Sequence, residues 1–389
     1  MAERFIYLDH AATTSVSPAV LEKMLPYFSA YYGNPSSVYS IARDTKQAID
    51  SARDAVAGAV GASPNEIFFT GSGSESDNWA IKGAAAANVK KGRHVITSAI
   101  EHHAVLDACG YLEKNGYSVT YLPVDSFGLV SPDALSQALR DDTALVSVMA
   151  ANNEIGTLQP IKQLAGIAKS RGALFHTDAV QAAGAVPLDL GDLGVDLLTM
   201  ASHKFYGPKG VGALYIKSGT KVEKFIHGGG QERGKRAGTE NVAGVVGFAE
   251  ALKSAVADME TNNKKLRALR DRTIREVMSV IPYTILNGHP VERLPNNANF
   301  AFRFIEGESL LLMLDMKGIG ASSGSACTSG SLDPSHVLLA IGLAHETAHG
   351  SLRITFGLDN TEEDVDYLLE TLPPIVQRLR EMSPLYENK

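Results

Sequence analysis

Only two cysteines, Cys109 and Cys327, occur in 389 residues. That excludes a disulfide framework beyond a single bridge and fits a reducing compartment. Long apolar runs are missing as well. No stretch reaches the roughly 18 apolar residues of a membrane span, and the alanine-rich Ala80–Val89 is short and carries Lys82 and Gly83. Excess positive charge is also absent. The net charge of −7 argues against a surface built for nucleic acid or anionic membranes. The opening MAERFIYLDHAATT has Glu3 and Arg4 and no apolar h-region, so no secretory signal is expected and the expected location is cytoplasmic. There is no internal repeat and no low-complexity tract. What is left is an ordinary globular composition, long enough for two or three units of roughly 150 residues.

From Ile67 onward, short apolar runs alternate with helical patterns. Ile67–Thr70, His94–Thr97, Val119–Leu122, Ala144–Ala150 and Leu174–Thr177 read as strands. Glu75–Ala87, Ala104–Lys114, Pro132–Leu139 and Ile161–Arg171 read as the helices between them. That rhythm implies βαβ units and a mostly parallel, doubly wound sheet. In such sheets ligands bind beyond the carboxyl ends of the strands. Ahead of this block, small residues from His10 to Ser15 form an arm, and Pro18 sits in the first turn of a helix. Ala42–Val60 carries apolar residues at helical spacing. Behind the block, a Gly/Arg-rich loop from Gly228 to Thr239 precedes one helical stretch, Val242–Val280, long enough to link two domains. Beyond Pro282 the pattern changes: Asn299–Phe304 and Ser351–Phe356 read as strands and Leu310–Met316 as a helix. Thr361 with Asp364 opens the last helix as a capping box.

Polar groups gather where the strands end. TMASHKFYGPKGVG, from Thr199 to Gly212, places Lys204 at a strand tip. Such a lysine forms a Schiff base with a carbonyl cofactor if its neighbours lower its pKa; otherwise it is a solvated loop lysine. In FTGSGSESDN, Phe69 to Asn78, a strand meets a Gly/Ser turn and a helix start. Free N–H groups and the helix dipole there offer a phosphate cradle. The same residues also read as a plain cap, with Ser74 and Asp77 forming a capping box. This is neither a P-loop nor a dinucleotide fingerprint, because no Gly-Lys-Ser/Thr follows and Ser76 stands at the third glycine. Asp178 closes an apolar strand, where its carboxylate either pairs with a protonated pyridine nitrogen or caps a helix. His102, in Glu101-His102-His103, either stacks on a flat cofactor and moves protons or caps a helix. Asn153, in Asn152–Gly156, repeats the theme. Together, strand ends bearing Ser74, His102, Asn153, Asp178 and Lys204 favour one ligand site over five unrelated caps.

Cys327 lies in SSGSACTSGS, Ser322 to Ser331, with no large apolar neighbour. It reads as a reactive thiol, whereas Cys109, among Val105, Leu106 and Leu112, reads as core. Arg353 alternates with Leu352, Ile354 and Phe356 and faces away from them. It either forks onto a substrate carboxylate or makes a surface salt bridge. His345-Glu346-Thr347-Ala348-His349 matches the zinc pattern HExxH. Gly350 follows at once, which leaves a helix too short to hold zinc firmly, and no metal ligands are assigned.

Taken in order, YLDHAATT, GSGSESDN, EHHAVL, NNEIG, TDAVQ, SHKFYGPKG, GGGQERGKRAGTEN, SSGSACTSG, LRITFG and SPLYE resemble the cysteine desulfurases of the NifS/IscS type. These are a branch of the class-V aminotransferase family, fold-type I enzymes that use pyridoxal 5′-phosphate (PLP). The resemblance spans nearly the whole chain. It implies an α/β fold: a large PLP-binding domain, residues 16–258, with a mostly parallel seven-stranded sheet. A smaller C-terminal α+β domain, residues 1–15 and 259–389, carries the cysteine loop. By position, Lys204 corresponds to the Schiff-base lysine, Asp178 to the partner of the ring nitrogen and Gln181 to the partner of the ring hydroxyl. Gly73, Ser74, Ser202 and His203 correspond to phosphate-holding residues. Thr239 corresponds to a residue that reaches the phosphate of the neighbouring subunit, which implies a homodimer. His102 would stack on the ring and serve catalysis. Asn153 and Arg353 would bind the substrate carboxylate, Asn153 beside the cofactor, and Cys327 would be the nucleophile. Ser74 and Ala201 depart from the family pattern, where Thr and Gly are frequent.

The implied reaction converts L-cysteine to L-alanine. Lys204 moves the Cα proton, and the Cys327 thiolate takes the substrate sulfur as a persulfide. The Gly/Ser composition around Cys327 suits a nucleophile that visits the cofactor and then an acceptor. The implied partners are L-cysteine and a sulfur-acceptor protein, an iron–sulfur scaffold or a tRNA-thiolating enzyme, with no membrane and no direct nucleic acid. A selenocysteine lyase is the alternative within the class. An aminotransferase and a scaffold without PLP chemistry are the alternatives outside it.

Overall fold

The computed structural model describes residues 5–323 and 334–386. The arm enters as a two-residue strand, β1 (Ile6–Tyr7). The next seven strands form one sheet: β2 (Ile67–Thr70), β3 (His94–Ser98), β4 (Ser118–Leu122), β5 (Thr143–Ser147), β6 (Leu174–Asp178), β7 (Leu197–Ala201) and β8 (Gly212–Ile216). Their order across the sheet is β2-β8-β7-β6-β5-β3-β4. Only β8 is reversed, pairing antiparallel with β2 and β7, while the others pair parallel. The sheet is thus mostly parallel, as expected.

The interior strands are buried on both faces, which is why they read as unbroken apolar runs. One face, with Phe69, Ile96, Val146, Phe175 and Leu198, packs on the helices Ser40–Val60, Pro132–Ala138, Ile161–Ser170 and Val242–Ala257. The other, with Phe68, Val95, Leu145 and Leu197, packs on Trp79 and the helix His103–Lys114. Each such fully buried side chain contributes roughly 1.5–3 kcal/mol. Cys109 belongs to this second layer, and burial pushes its thiol up to about 12.

A hairpin of β9 (Gly230–Gln231) and β10 (Arg236–Ala237) follows. Then β11 (Thr284–Asn287), β12 (Asn297–Phe302) and β14 (Ser351–Thr355) form a three-stranded antiparallel sheet, and β13 (Ile319–Gly320) pairs with β1. Phe300, Leu352 and Ile354 pack here on Leu269, Leu310 and Leu368. Ile6 and Leu8 of the arm share that core.

The long helical stretch is broken where the sequence reads as continuous. Val242–Ala257 and Met259–Val280 meet at Asp258. The break falls where the chain leaves one core for the other: Phe248 and Leu252 pack on the large sheet, Leu266 and Leu269 on the small one. β5 stops at Ser147 rather than Ala150, although Val148 and Ala150 still donate to the carbonyls of His176 and Asp178. The capping box of the last helix forms as expected, with Thr361 and Asp364.

Because β2, β3, β5, β6 and β7 run the same way, their carboxyl ends share one sheet edge. β4, whose end carries no candidate residue, is one of the two edge strands, β2 being the other.

Candidate active site

β7 ends at Ala201 and passes into a single helical turn, Ser202–Lys204. Lys204 Nζ donates to the carbonyls of Ala11 (2.5 Å) and Ala12 (2.8 Å). Gln181 Nε2 donates to the same Ala11 carbonyl (2.9 Å). His203 Nδ1 lies 3.1 Å from Thr13 Oγ1, and Thr14 N donates to His203 O (2.9 Å). Burial pushes His203 down to about 4, helped by Lys204 and Lys209. The arm therefore frames the site, a role its small residues gave no sign of. It acts through backbone carbonyls, which leave no trace in side-chain chemistry.

The floor is acidic and dry. Asp178 is buried at the end of β6, with Oδ1 accepting from Val180 N (2.8 Å). This bond closes a local turn and not a helix cap, because no helix starts at Asp178: the next one begins at Leu190. Burial raises the Asp178 carboxyl, opposed by His102, by the Val180 N–H and by Lys204. Burial raises Asp77, from the helix that follows β2, well above the usual range, and the charge of the nearby Asp178 raises it further. Glu101 accepts from Ser98 Oγ (2.5 Å) and Met149 N (3.0 Å), and burial pushes it up to about 8. His176 bridges Ser147 Oγ (2.8 Å) and Thr199 Oγ1 (3.1 Å) across three strands. Burial pushes it down to about 3, so it is neutral at physiological pH. Asp77 and Glu101 were missed as site residues because a carboxylate near a helix start reads as a cap or a solvated group, and His176 because its strand reads as core. The one available signal is His176 itself, set inside an otherwise apolar strand.

The turn after β2 corrects one expectation. The cap of its helix is Ser72, whose side chain accepts from Glu75 N (3.1 Å), and the helix runs Gly73–Asn78. Ser74 is thus inside the first turn and exposed, and the Ser74–Asp77 box does not form because Asp77 is drawn into the floor. Glu75 reaches back to Gly71 N (2.8 Å) and is held by Arg236 Nε (2.8 Å). Gly73 is required: a Cβ there would lie 2.9 Å from Val180 Cγ2.

His102 caps the helix His103–Lys114, with Nδ1 accepting from Ala104 N (3.1 Å), so its capping reading is realised. Burial lowers it, Asp178 raises it, and Lys204 with His103 and His336 lowers it further. Asn152, not Asn153, folds the NNEIG turn, accepting from Glu154 N and Ile155 N. Arg353 comes from the opposite sheet. It faces away from the apolar residues of its strand, as expected, but it is buried, which overturns the surface salt-bridge reading. Its Nη1 donates to Asn153 O (2.9 Å) and its Nη2 pairs with Asp9 (2.6 Å). Ser335 donates to the Glu154 carboxyl, and His336 Nε2 lies 3.0 Å from Glu101 O. Thr239 is exposed beyond β10. Cys327 lies outside the described residues. His345 and His349 stand at the ends of a five-residue helix, their rings 4.7 Å apart. Among the described residues no group of three His, Cys, Asp or Glu side chains could hold a metal.

The donor set fits PLP. A buried carboxylate, an amine, a glycine-tight helix start and a neutral imidazole converge on one edge. Ser202 Oγ is buried with no partner among the described residues, and a Cβ at Gly207 would fall 1.9 Å from it. Such a pocketed hydroxyl suits a phosphate oxygen.

Residues 6–368 match the aminotransferase class-V family. The chain is similar to a cysteine desulfurase IscS of Clostridium botulinum (strain Hall), 59% identical over 98% of this chain and 97% of that one. It is also similar to a cysteine desulfurase IscS of Methanosarcina thermophila, 58% identical over 98% of this chain and 94% of the other. Among solved structures, a NifS-like protein superposes with a TM-score of 0.91 at 40% identity, over 96% of this chain and all of that one. The chain belongs to the class-V aminotransferase family of fold-type I PLP enzymes and, within it, to the NifS/IscS-type cysteine desulfurases.

Proposed function

We propose that this cysteine desulfurase divides its chemistry between Lys204 at the sheet edge and Cys327 on the small-domain loop. The reaction converts L-cysteine to L-alanine and passes the sulfur on through a persulfide. PLP, when bound, supplies an electron sink for the substrate's α-carbon. Lys204 anchors it and moves the Cα proton. Asp178 holds the ring nitrogen protonated, Gln181 meets the ring hydroxyl, and His102 covers the ring. Gly73, Ser74, Ser202 and His203 hold the phosphate. Asn153 and Arg353 orient the substrate carboxylate. The Cys327 thiolate forms an S–S bond to the substrate sulfur as the Cβ–S bond breaks. The electron pair left on carbon is protonated, and alanine departs. The observation that carries this reading is the convergence of Lys204, Gln181 and His203 on the arm beside the end of β6. Cys327→Ser tests it: the visible chromophore should persist and sulfide release should stop. Undiminished release would remove Cys327 from the mechanism.

The domain division at residues 16–258 against 1–15 with 259–389 is part of the same reading. It is supported by Ile6 and Leu8 packing in the C-terminal core. We also read the enzyme as a homodimer. Leu25, Phe28, Tyr32 and Val38, all more than half exposed, cluster in one short stretch of chain, as a buried subunit contact requires. On this reading Thr239, which is exposed three residues after Arg236, serves a neighbouring subunit's phosphate. Sedimentation velocity should give twice the chain mass, and a monomer would overturn this. No helix among the described residues is long and apolar enough to cross a membrane. A cytoplasmic enzyme that delivers sulfur to an iron–sulfur scaffold or a tRNA-thiolating enzyme fits these features. Trapping the Cys327 persulfide and identifying the bound protein names the acceptor.

A further inference from the structure

The guanidinium of Arg353 is clamped on two sides, by the Asn153 carbonyl at Nη1 and by Asp9 Oδ1 at Nη2. The Arg353 side chain is 3% exposed and that of Asp9 17%, so the guanidinium is buried while the carboxylate keeps one side toward water. The third donor, Nε–H, is buried and has no partner among the described residues. A buried donor left unmet is destabilising, and such a donor at a ligand site marks where an acceptor belongs. Asp9 is itself held in place. Its backbone forms a parallel bridge with Thr355, two residues beyond Arg353 on β14. Tyr7 Oη donates to its carbonyl (2.9 Å), and His10 N donates to Thr355 O.

We propose that Asp9 is a positioning residue for the carboxylate of the amino-acid substrate, on the reading above that Arg353 receives that carboxylate. The Asp9 ion pair fixes the plane of the guanidinium so that the Nε edge faces the ligand. A carboxylate then accepts from Nε–H and from the second Nη2 hydrogen as a fork. Without Asp9, Arg353 keeps only the Asn153 carbonyl and can turn about that bond, so ligand binding must order it. Losing the Asp9 charge also leaves the arginine more attractive to anions. That gain is small because Asp9 is partly hydrated, and loss of orientation dominates.

The test uses the PLP-loaded enzyme with Asp9→Asn and Asp9→Ala. Two quantities are read: the dissociation constant of the product L-alanine, from the cofactor's absorbance, and KM against kcat for L-cysteine. Asp9→Ala should weaken L-alanine binding and raise KM by roughly tenfold, with kcat within about twofold. Asp9→Asn keeps an oxygen acceptor and should show a smaller effect of the same sign. It decides the matter on the same readouts if the alanine variant fails to fold. Arg353→Lys separates the two readings. If it leaves L-alanine binding unchanged, Arg353 is not the carboxylate receptor and the proposal falls with it. If it weakens binding while the Asp9 variants leave it unchanged, tighten it, or lower kcat alone, only the role of Asp9 is overturned.

Discussion

The two sheets serve one site in opposite ways. The seven-stranded sheet presents chemistry from beyond its strand ends, through Lys204, His102, Asp178 and the turn at Ser72. The three-stranded sheet presents it from a strand face. Asn287, Asn299 and Arg353 lie directly opposite one another across β11, β12 and β14. Asn287 donates to Asn299 (2.7 Å), and Asn297 and Asn299 both donate to the Glu154 carbonyl (3.1 and 3.0 Å). A polar group at a strand end can turn to water or to a loop backbone. One on a buried strand face must find its partner on a neighbouring strand or in the turns and arm packed over it. Function and cohesion are therefore separable at the strand ends and fused on the small sheet.

This contrast can be broken experimentally. Lys204→Ala should lower kcat by on the order of 10²–10⁴ or more, with little loss of stability, because a half-buried cation is removed from two carbonyls. Turnover and urea melts check both halves. Arg353→Ala should damage both properties together. It raises KM and costs about 3 kcal/mol, because it leaves Asp9 without its nearly buried partner. If stability were unchanged, the distinction between strand ends and strand face would fail. Asn299→Ala should cost roughly 1–3 kcal/mol by stranding Asn287 and depriving the Glu154 carbonyl of a donor.

Glu101 sharpens the comparison through pH. Its folded pKa of about 8 lies above the ordinary 4.5, so the folded state holds a proton that the unfolded state gives up. The stability this contributes is fully present below about 4.5 and is lost as pH rises through about 8, with a slope of at most about 1.4 kcal/mol per pH unit. Glu101→Gln should flatten that part of the melting-temperature profile and make the variant relatively more stable at high pH. His176, held down to about 3, acts with the opposite sign, losing stability as pH falls below its ordinary 6.5, and should be unaffected by the change. The smallest effect is expected at a strand end again: Ser72→Ala removes a helix cap worth about 1 kcal/mol.

How much of this was readable in advance follows the same division. Strand ends announce themselves as apolar runs that stop at Asp178, His102 or SHK, and the fold class follows from their alternation with helices. The cap at Ser72 was misplaced by two residues because SGSES offers several serines with equal claims. The polar row of the small sheet was hidden. Asn-Ala-Asn-Phe has the period of two that a half-exposed strand shows, and only the second sheet reveals that the asparagine side is covered. The break at Asp258 depends on which core each half-helix meets, a property of the assembled fold. The arm was the least readable part, since Ala11 and Ala12 contribute only carbonyls.

The reversed strand β8 has a consequence of another kind. It enters the sheet at the same edge as the site, with Gly212 opposite both Thr70 and Ala201. A Cβ there would come within 2.6 Å of the Ser72 carbonyl carbon. β8 is therefore a gauge block between the turn at Ser72 and Lys204. Two strand spacings of about 4.8 Å set the tips of β2 and β7 roughly 10 Å apart. That length is held by main-chain hydrogen bonds, so side-chain substitutions cannot lengthen or shorten it. Only molecules that reach across this interval can touch both ends at once, and the fold thus selects its ligand by span before any side chain selects it by charge.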